Sequence, residues 1–228
     1  MTEKSFFAGF GGQGVISMGQ IWVYCAMQEG KNITFFPFYG AEKRGGVTRA
    51  SVIVSDEAIA SPLVTSPDSA LVMNRDSLPL CEEMLKKNGI LLINSSLVRE
   101  NPRRNDINVL KIEANGIAER IGSTRFANMV ALGAMAKLTG ALSLGHIEDI
   151  LRKYFSSDKH HFIPMNVQAI EAGIKAVLVV CLYVSSCESF SGKFSQVNSF
   201  SAENEVYFCF GRLFWHIKTR YPLTGKSE

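Results

Sequence analysis

Up to Ile112 the apolar residues fall into short continuous runs divided by segments of helical period. Residues 5–8 form a run that breaks at Gly9, the pattern of a buried strand. Over Val15–Gln28, Ile16, Gly19, Trp22, Val23 and Ala26 recur at helical spacing, and Gly30 is a stop. Residues 32–37 are rich in β-formers and end in proline, and a polar loop spans 38–46. Val47–Ser55 has strand character, with Val52 and Val54 on one face, and 70–74 is another short strand. Asp76 is placed to cap a helix running to Lys87, with Pro79 in its first turn and Asn88-Gly89 as its end. Residues 90–93 read as a strand covered on both faces, and Asn108–Ile112 as a further strand. Beyond it the period is helical throughout: Ala114–Ile121, 128–138, 146–154 with Ser143 as its cap, and 166–176. Strands alternating with helices, then helices alone, predict an α/β protein with a mostly parallel, doubly wound Rossmann-like sheet and a helix-rich C-terminal half.

Composition narrows the classes. With 228 residues, 46 % hydrophobic and 20 % charged, the chain is one large domain, or one domain with an appendage, and is not disordered. The net charge of +3 lacks the clustered basic excess of a nucleic-acid binder; only Lys43, Arg44 and Arg49 lie near one another. The longest apolar run, 176–184, is too short to span a bilayer, and the N-terminus lacks a signal-peptide layout. Five scattered cysteines without a C-x-x-C pair argue against a zinc site or iron–sulfur cluster held by this chain alone, and for a reducing, cytoplasmic setting. The composition shifts near Val180. Residues 181–228 hold eight serines, six phenylalanines and three of the five cysteines, with no clear period. We divide the chain into a domain over 1–178 and an atypical extension over 179–228. The extension reads either as a lineage-specific segment that packs on a partner or, slightly favoured, as sequence translated out of frame.

Two loops carry candidate chemistry. Gly9, Gly11 and Gly14, with Gly12 and Gln13 between, satisfy G-x-G-x-x-G after a strand and before a helix. Such glycines allow a tight turn and close approach of an anion to the helix N-terminus. A dinucleotide site also needs an acid at the end of the second strand. That strand ends in Phe36-Pro37-Phe38, and the nearest acid, Glu42, lies in the next loop, so the fingerprint is incomplete. The glycines either close the strand–helix turn or serve a ligand or subunit surface. The second loop holds Tyr39, Glu42, Lys43, Arg44 and three glycines, Gly40, Gly45 and Gly46. In a parallel sheet it shares the carboxyl edge with the first, where α/β folds place ligands; its bland alternative is a solvated turn with a surface Glu42–Arg44 pair. His160 and His161 read as solvated, and Met73, Met129 and Met135 as core. No nucleophile motif or phosphate loop of the G-x-x-x-x-G-K type occurs, so no catalytic residue is assigned.

Together the segments from Gly9 to Val15, Pro37 to Gly46, Ser61-Pro62, 68–74, Asn128 to Gly133 and Asn166 to Gly173 resemble the gamma subunit of 2-oxoacid:ferredoxin oxidoreductases, over about residues 3–178. The form of the second loop is closer to the 2-oxoglutarate and branched-chain members than to the pyruvate members. The resemblance implies a complex that oxidatively decarboxylates a 2-oxo acid, transfers the acyl group to coenzyme A and reduces ferredoxin. Thiamine diphosphate and iron–sulfur clusters would sit in partner subunits: alpha, beta and, where present, delta. This chain would bind no cofactor by itself and carry no catalytic centre, docking on its partners and bordering the route of coenzyme A. The loop residues Gly9, Gly11, Gly12, Gln13, Gly14, Tyr39, Glu42, Arg44, Gly45 and Gly46 would form that ligand or subunit surface. The competing readings are a stand-alone nucleotide-binding or redox-sensing module, and the small subunit of an indolepyruvate oxidoreductase.

Overall fold

A computed structural model describes residues 1–38, 46–186, 196–200, 205–210 and 213–218, with side chains described as far as residue 178. Its centre is a sheet in the order β2-β3-β1-β4-β5-β6, formed by β1 (Thr2–Phe10), β2 (Asn32–Phe38), β3 (Val47–Ser55), β4 (Ser69–Val72), β5 (Ile90–Asn94) and β6 (Asn108–Ile112). β1, β4, β5 and β6 are parallel neighbours, while β3 runs antiparallel to both β1 and β2. The predicted mostly parallel α/β fold is therefore what forms.

β2 and β3 pair antiparallel as neighbours, from Asn32↔Ser55 to Phe38↔Arg49. Phe38 and Gly46, which flank the second loop, still lie at the carboxyl edge, because β2 points the same way as β1 with β3 between them. Pro37 is tolerated because β2 is the outer strand of this pair and bonds only β3.

Both sheet faces are covered, which explains why the strands read as unbroken apolar runs. Phe7, Leu71 and Leu92 face one core with α1 (Val15–Gln28), α3 (Ala114–Ile121), α4 (Ala127–Thr139), α5 (Ile147–Tyr154) and α6 (Ile163–Ser186). Phe6, Ala8, Val72 and Ile93 face a smaller core under α2 (Leu78–Met84). In α1 the buried Met18, Ile21, Trp22 and Cys25 form one stripe, and Trp22 meets Phe7 edge to face with ring centroids 5.6 Å apart. Met73, Met129 and Met135 are buried, as expected.

α4 and α6 pack with their backbones in close approach. A Cβ on Gly133 would overlap the Ile170 carbonyl, and one on Gly173 the Val130 carbonyl. These glycines let two backbones touch.

Several expected boundaries and caps shift. Asp76 lies within a short turn, Arg75–Ser77, and α2 ends at Met84, before Lys87. Asn88, at φ 63°, shapes the turn into β5 instead of ending the helix. Ser143 accepts from the Gly145 amide in a local turn, and His146 occupies the α5 cap position without a side-chain bond. α6 extends beyond 166–176 at both ends. The C-terminal segment that showed no period carries β7 (Gln196–Phe200), β8 (Glu205–Phe210) and β9 (Leu213–Lys218), continuing the sheet beyond β6. Runs of aromatic and β-branched residues favour strands even without alternation.

Candidate functional site at the carboxyl edge of the sheet

The chain leaves β1 to one side of the sheet and returns through β4 to the other, which makes the carboxyl ends of β1 and β4 the switch point of the sheet. The glycine loop closes β1 there. Gly9 has no space for a side chain: a Cβ would lie 2.6 Å from Gln13 Oε1 and 2.9 Å from both Met73 Cβ and Val15 Cγ2. Gly12 and Gly14 take φ of 97° and 75°, values that L-residues rarely adopt. Gly14 also lies directly against the side chain of Asn128, from the first turn of α4.

Gln13 is the clasp of this loop. Its Oε1 accepts from the Phe10 amide at 2.7 Å, and its Nε2 donates to the Met73 carbonyl at 3.0 Å, tying the ends of β1 and β4 together. The Gly11 amide donates to the Gly46 carbonyl at 3.2 Å, so the second loop returns beside the first. Gly9, Gly11, Gly12, Gln13, Gly14 and Gly46 are thus brought to one edge. Tyr39, Glu42, Arg44 and Gly45 lie outside the described residues, and so does the expected Glu42–Arg44 pair. Around Gly12, Gln13, Gly14, Leu97, Arg125 and Asn128 the edge opens into a cleft of about 280 Å³.

The carboxyl ends of β4 and β5 add groups that the motifs did not point to. Asn94 is fully used: its Nδ2 donates to Asn115 Oδ1 at 2.8 Å, and its Oδ1 accepts from the Ser96 and Ala114 amides. Asn74, on the neighbouring strand end, is 3 % exposed, yet neither its Oδ1 nor its Nδ2 has a partner among the described residues. The Ser77 and Ser95 hydroxyl oxygens are buried and have no partner among the described residues either. Groups of this kind are normally paired, since leaving one unpaired costs about 1–3 kcal/mol. A strand ending in a short polar residue was the only sequence signal for them. Lys111 is buried on β6 and donates to the Glu100 carbonyl and Asn101 Oδ1 at 2.8 and 2.6 Å, which holds the loop after β5. Burial pulls its ammonium below the usual lysine range, against a smaller opposing pull from Glu100.

The geometry suits binding. Burial pushes the Cys25 and Cys81 thiols up to about 12, which removes them as nucleophiles at neutral pH. Among the described residues no three His, Cys, Asp or Glu side chains gather as metal ligands, and no helix is long and apolar enough to cross a membrane. The dinucleotide pattern is further weakened because the strand beside β1 on the β2 side is the antiparallel β3, so no parallel second strand brings an acid to the glycine loop. His160 corrects the expectation of a solvated histidine: its Nε2 lies 3.1 Å from the carbonyls of both Arg152 and Phe155. Both partners are acceptors, so this nitrogen carries the proton and caps the end of α5.

Residues 4–176 match the pyruvate ferredoxin/flavodoxin oxidoreductase family, and the chain belongs to that family as a subunit of the gamma type. It is 36 % identical over 168 residues to the ketoisovalerate oxidoreductase subunit VorA of Methanothermobacter thermautotrophicus, covering 73 % of this chain but only 34 % of VorA. The chain thus spans about a third of the length of that relative. It is 32 % identical over 185 residues to the 2-oxoglutarate synthase subunit KorC of Methanothermobacter marburgensis, covering 78 % of this chain and 98 % of KorC. The crystal structure of the keto/oxoacid ferredoxin oxidoreductase gamma subunit of Geobacter sulfurreducens superposes with a TM-score of 0.69 at 29 % identity, covering 78 % of this chain and 98 % of that one.

Proposed function

We propose that this chain is the gamma subunit of a multi-subunit 2-oxoacid:ferredoxin oxidoreductase that converts a 2-oxo acid, 2-oxoglutarate or a related acid, and coenzyme A to acyl-coenzyme A and carbon dioxide, reducing ferredoxin. It has no turnover alone; its carboxyl edge supports assembly and the approach of coenzyme A. Thiamine diphosphate and iron–sulfur clusters reside in the alpha, beta and, where present, delta partners. The observation that carries this reading is the glycine loop, clasped by Gln13 and left open at Gly12 beside a cleft without a reactive group. Near-complete coverage of a relative named as a 2-oxoglutarate synthase subunit supports the substrate class.

The test is co-expression with the chains encoded beside it. The assembly should turn over 2-oxoglutarate with coenzyme A, and the isolated chain should not. Arg44→Ala in the assembly should raise the Michaelis constant for coenzyme A. Turnover by the single chain, or an Arg44→Ala assembly unchanged in both stability and that constant, would refute the assignment.

A further inference from the structure

A second, larger cleft adjoins the first through Arg125 and Asn128, on the helical face between α1, α4 and the start of α6, with a volume of about 450 Å³. Its floor is apolar: Phe126 and Met129 from the start of α4, Phe155 after α5, and Met165 in α6. Its rim carries two cations, Arg125 and Lys159, and no Asp or Glu lines it. Neither cation forms an ion pair with a described residue. Asp158, the acid next to Lys159 in the chain, is held by Ser156 and does not line the cleft. No side chain caps the N-terminus of α4, whose first turn contributes Asn128 to the wall. Phe162 lines the cleft while 39 % exposed, its ring centroid 6.5 Å from that of Phe126.

An apolar floor under unpaired positive charge selects for ligands that carry both features. A neutral hydrocarbon would leave the cations unused, and a small inorganic anion would leave the floor wet. We propose that this cleft binds a small amphiphilic monoanion, an aromatic or branched carboxylate. The ring or alkyl group packs on Phe126, Met129 and Met165, and the carboxylate reaches Arg125 and Lys159. The volume is in the range of small-molecule pockets, about 300–1,000 Å³. This cleft shares Arg125 and Asn128 with the one beside the glycine loop, but its occupant does not depend on the assignment of coenzyme A to that loop.

Fluorine NMR titration of the full chain with 4-fluorophenylacetate tests this, with acetate and 4-fluorophenylacetamide as comparators. The carboxylate should bind, its neutral amide should bind about tenfold more weakly, and acetate should not saturate. Lys159→Glu should weaken the carboxylate by about tenfold or more and leave the amide unchanged. Arg152→Glu, a charge reversal outside the cleft, should change neither, which separates a local contact from net charge. Equal affinity for acid and amide, an unchanged Lys159→Glu protein, or equal losses from the Lys159 and Arg152 reversals would each overturn the proposal, as would no binding of the carboxylate.

Discussion

The two edges of the sheet solve opposite problems with the same kinds of residue. At the amino edge charge is paired off. Asp56 holds both the N-terminal ammonium and Lys31, Asp68 holds Lys86 at 2.5 Å, and Asp106 takes both Arg104 Nε and Nη2. Asp56 is held down to about 2 by its bonds to Lys31 and the N-terminus. At the carboxyl edge polar capacity is left over. Of the six buried side-chain atoms without a partner among the described residues, four belong to Asn74, Ser77 and Ser95. Among the described residues the ion pair there is Arg75–Glu100, which is largely exposed and contributes little. An edge that only terminates strands can satisfy its groups internally. An edge that must receive something keeps donors and acceptors in reserve, at a cost in stability. Among the described residues, spare polar capacity thus gathers at the carboxyl edge of the sheet.

The largest effect that would sharpen this contrast is at Gly9. Three heavy atoms already fill the place of its Cβ, so Gly9→Val should cost about 3 kcal/mol or more, read from urea unfolding. A loss below about 1 kcal/mol would show that the loop is looser than the clasp implies.

Glu3 is the half-buried exception at the amino edge. Desolvation dominates and raises its carboxyl to about 7, although the Ser69 hydroxyl donates to it at 2.5 Å. The folded state therefore holds a proton that the unfolded chain releases near 4.5. The stabilisation this gives is complete below that value and is lost as pH rises through 7, on the order of 2 kcal/mol after allowance for partial exposure. Glu3→Gln should flatten the stability profile between those limits. A profile unchanged by the substitution would mean that Glu3 titrates as an ordinary carboxyl.

Gln13→Ala removes two hydrogen bonds that join β1 to β4 and should cost about 1–2 kcal/mol, while weakening assembly with partners more than it lowers the unfolding midpoint. The smallest change is the most direct test of reserve capacity. Ser77→Ala deletes a hydroxyl with no partner, so the isolated chain should be unchanged or gain up to about 1 kcal/mol, whereas the assembly should lose affinity. A clear loss in the isolated chain would show that the hydroxyl is already satisfied.

Much of this was legible in the residues. Element order followed from apolar runs and helical spacing, and the glycine loop from its own pattern with strand before and helix after. Caps were read less well, because Ser143 and Asp76 have short polar side chains that serve a local turn as readily as a helix end. The antiparallel pairing of β2 and β3 was not legible, since strand direction depends on pairing and local period does not encode it. Nor were Asn74, Ser77 and Ser95, whose significance lies in having no partner among the described residues.

By itself the sequence determined what each segment could become: apolar runs that must be covered on both faces, glycines that alone permit a turn at φ 97° and 75°, and thiols with no ligand spacing. The tertiary structure alone decided what those segments meet. It set Gly133 against Ile170 and Gly173 against Val130, tied β1 to β4 through Gln13, and gathered Arg125 and Lys159 over an apolar floor. The physical reason is range. Propensity and backbone strain act within a few residues, whereas packing, pairing and unpaired charge exist only between residues that the fold brings together from far apart in the chain.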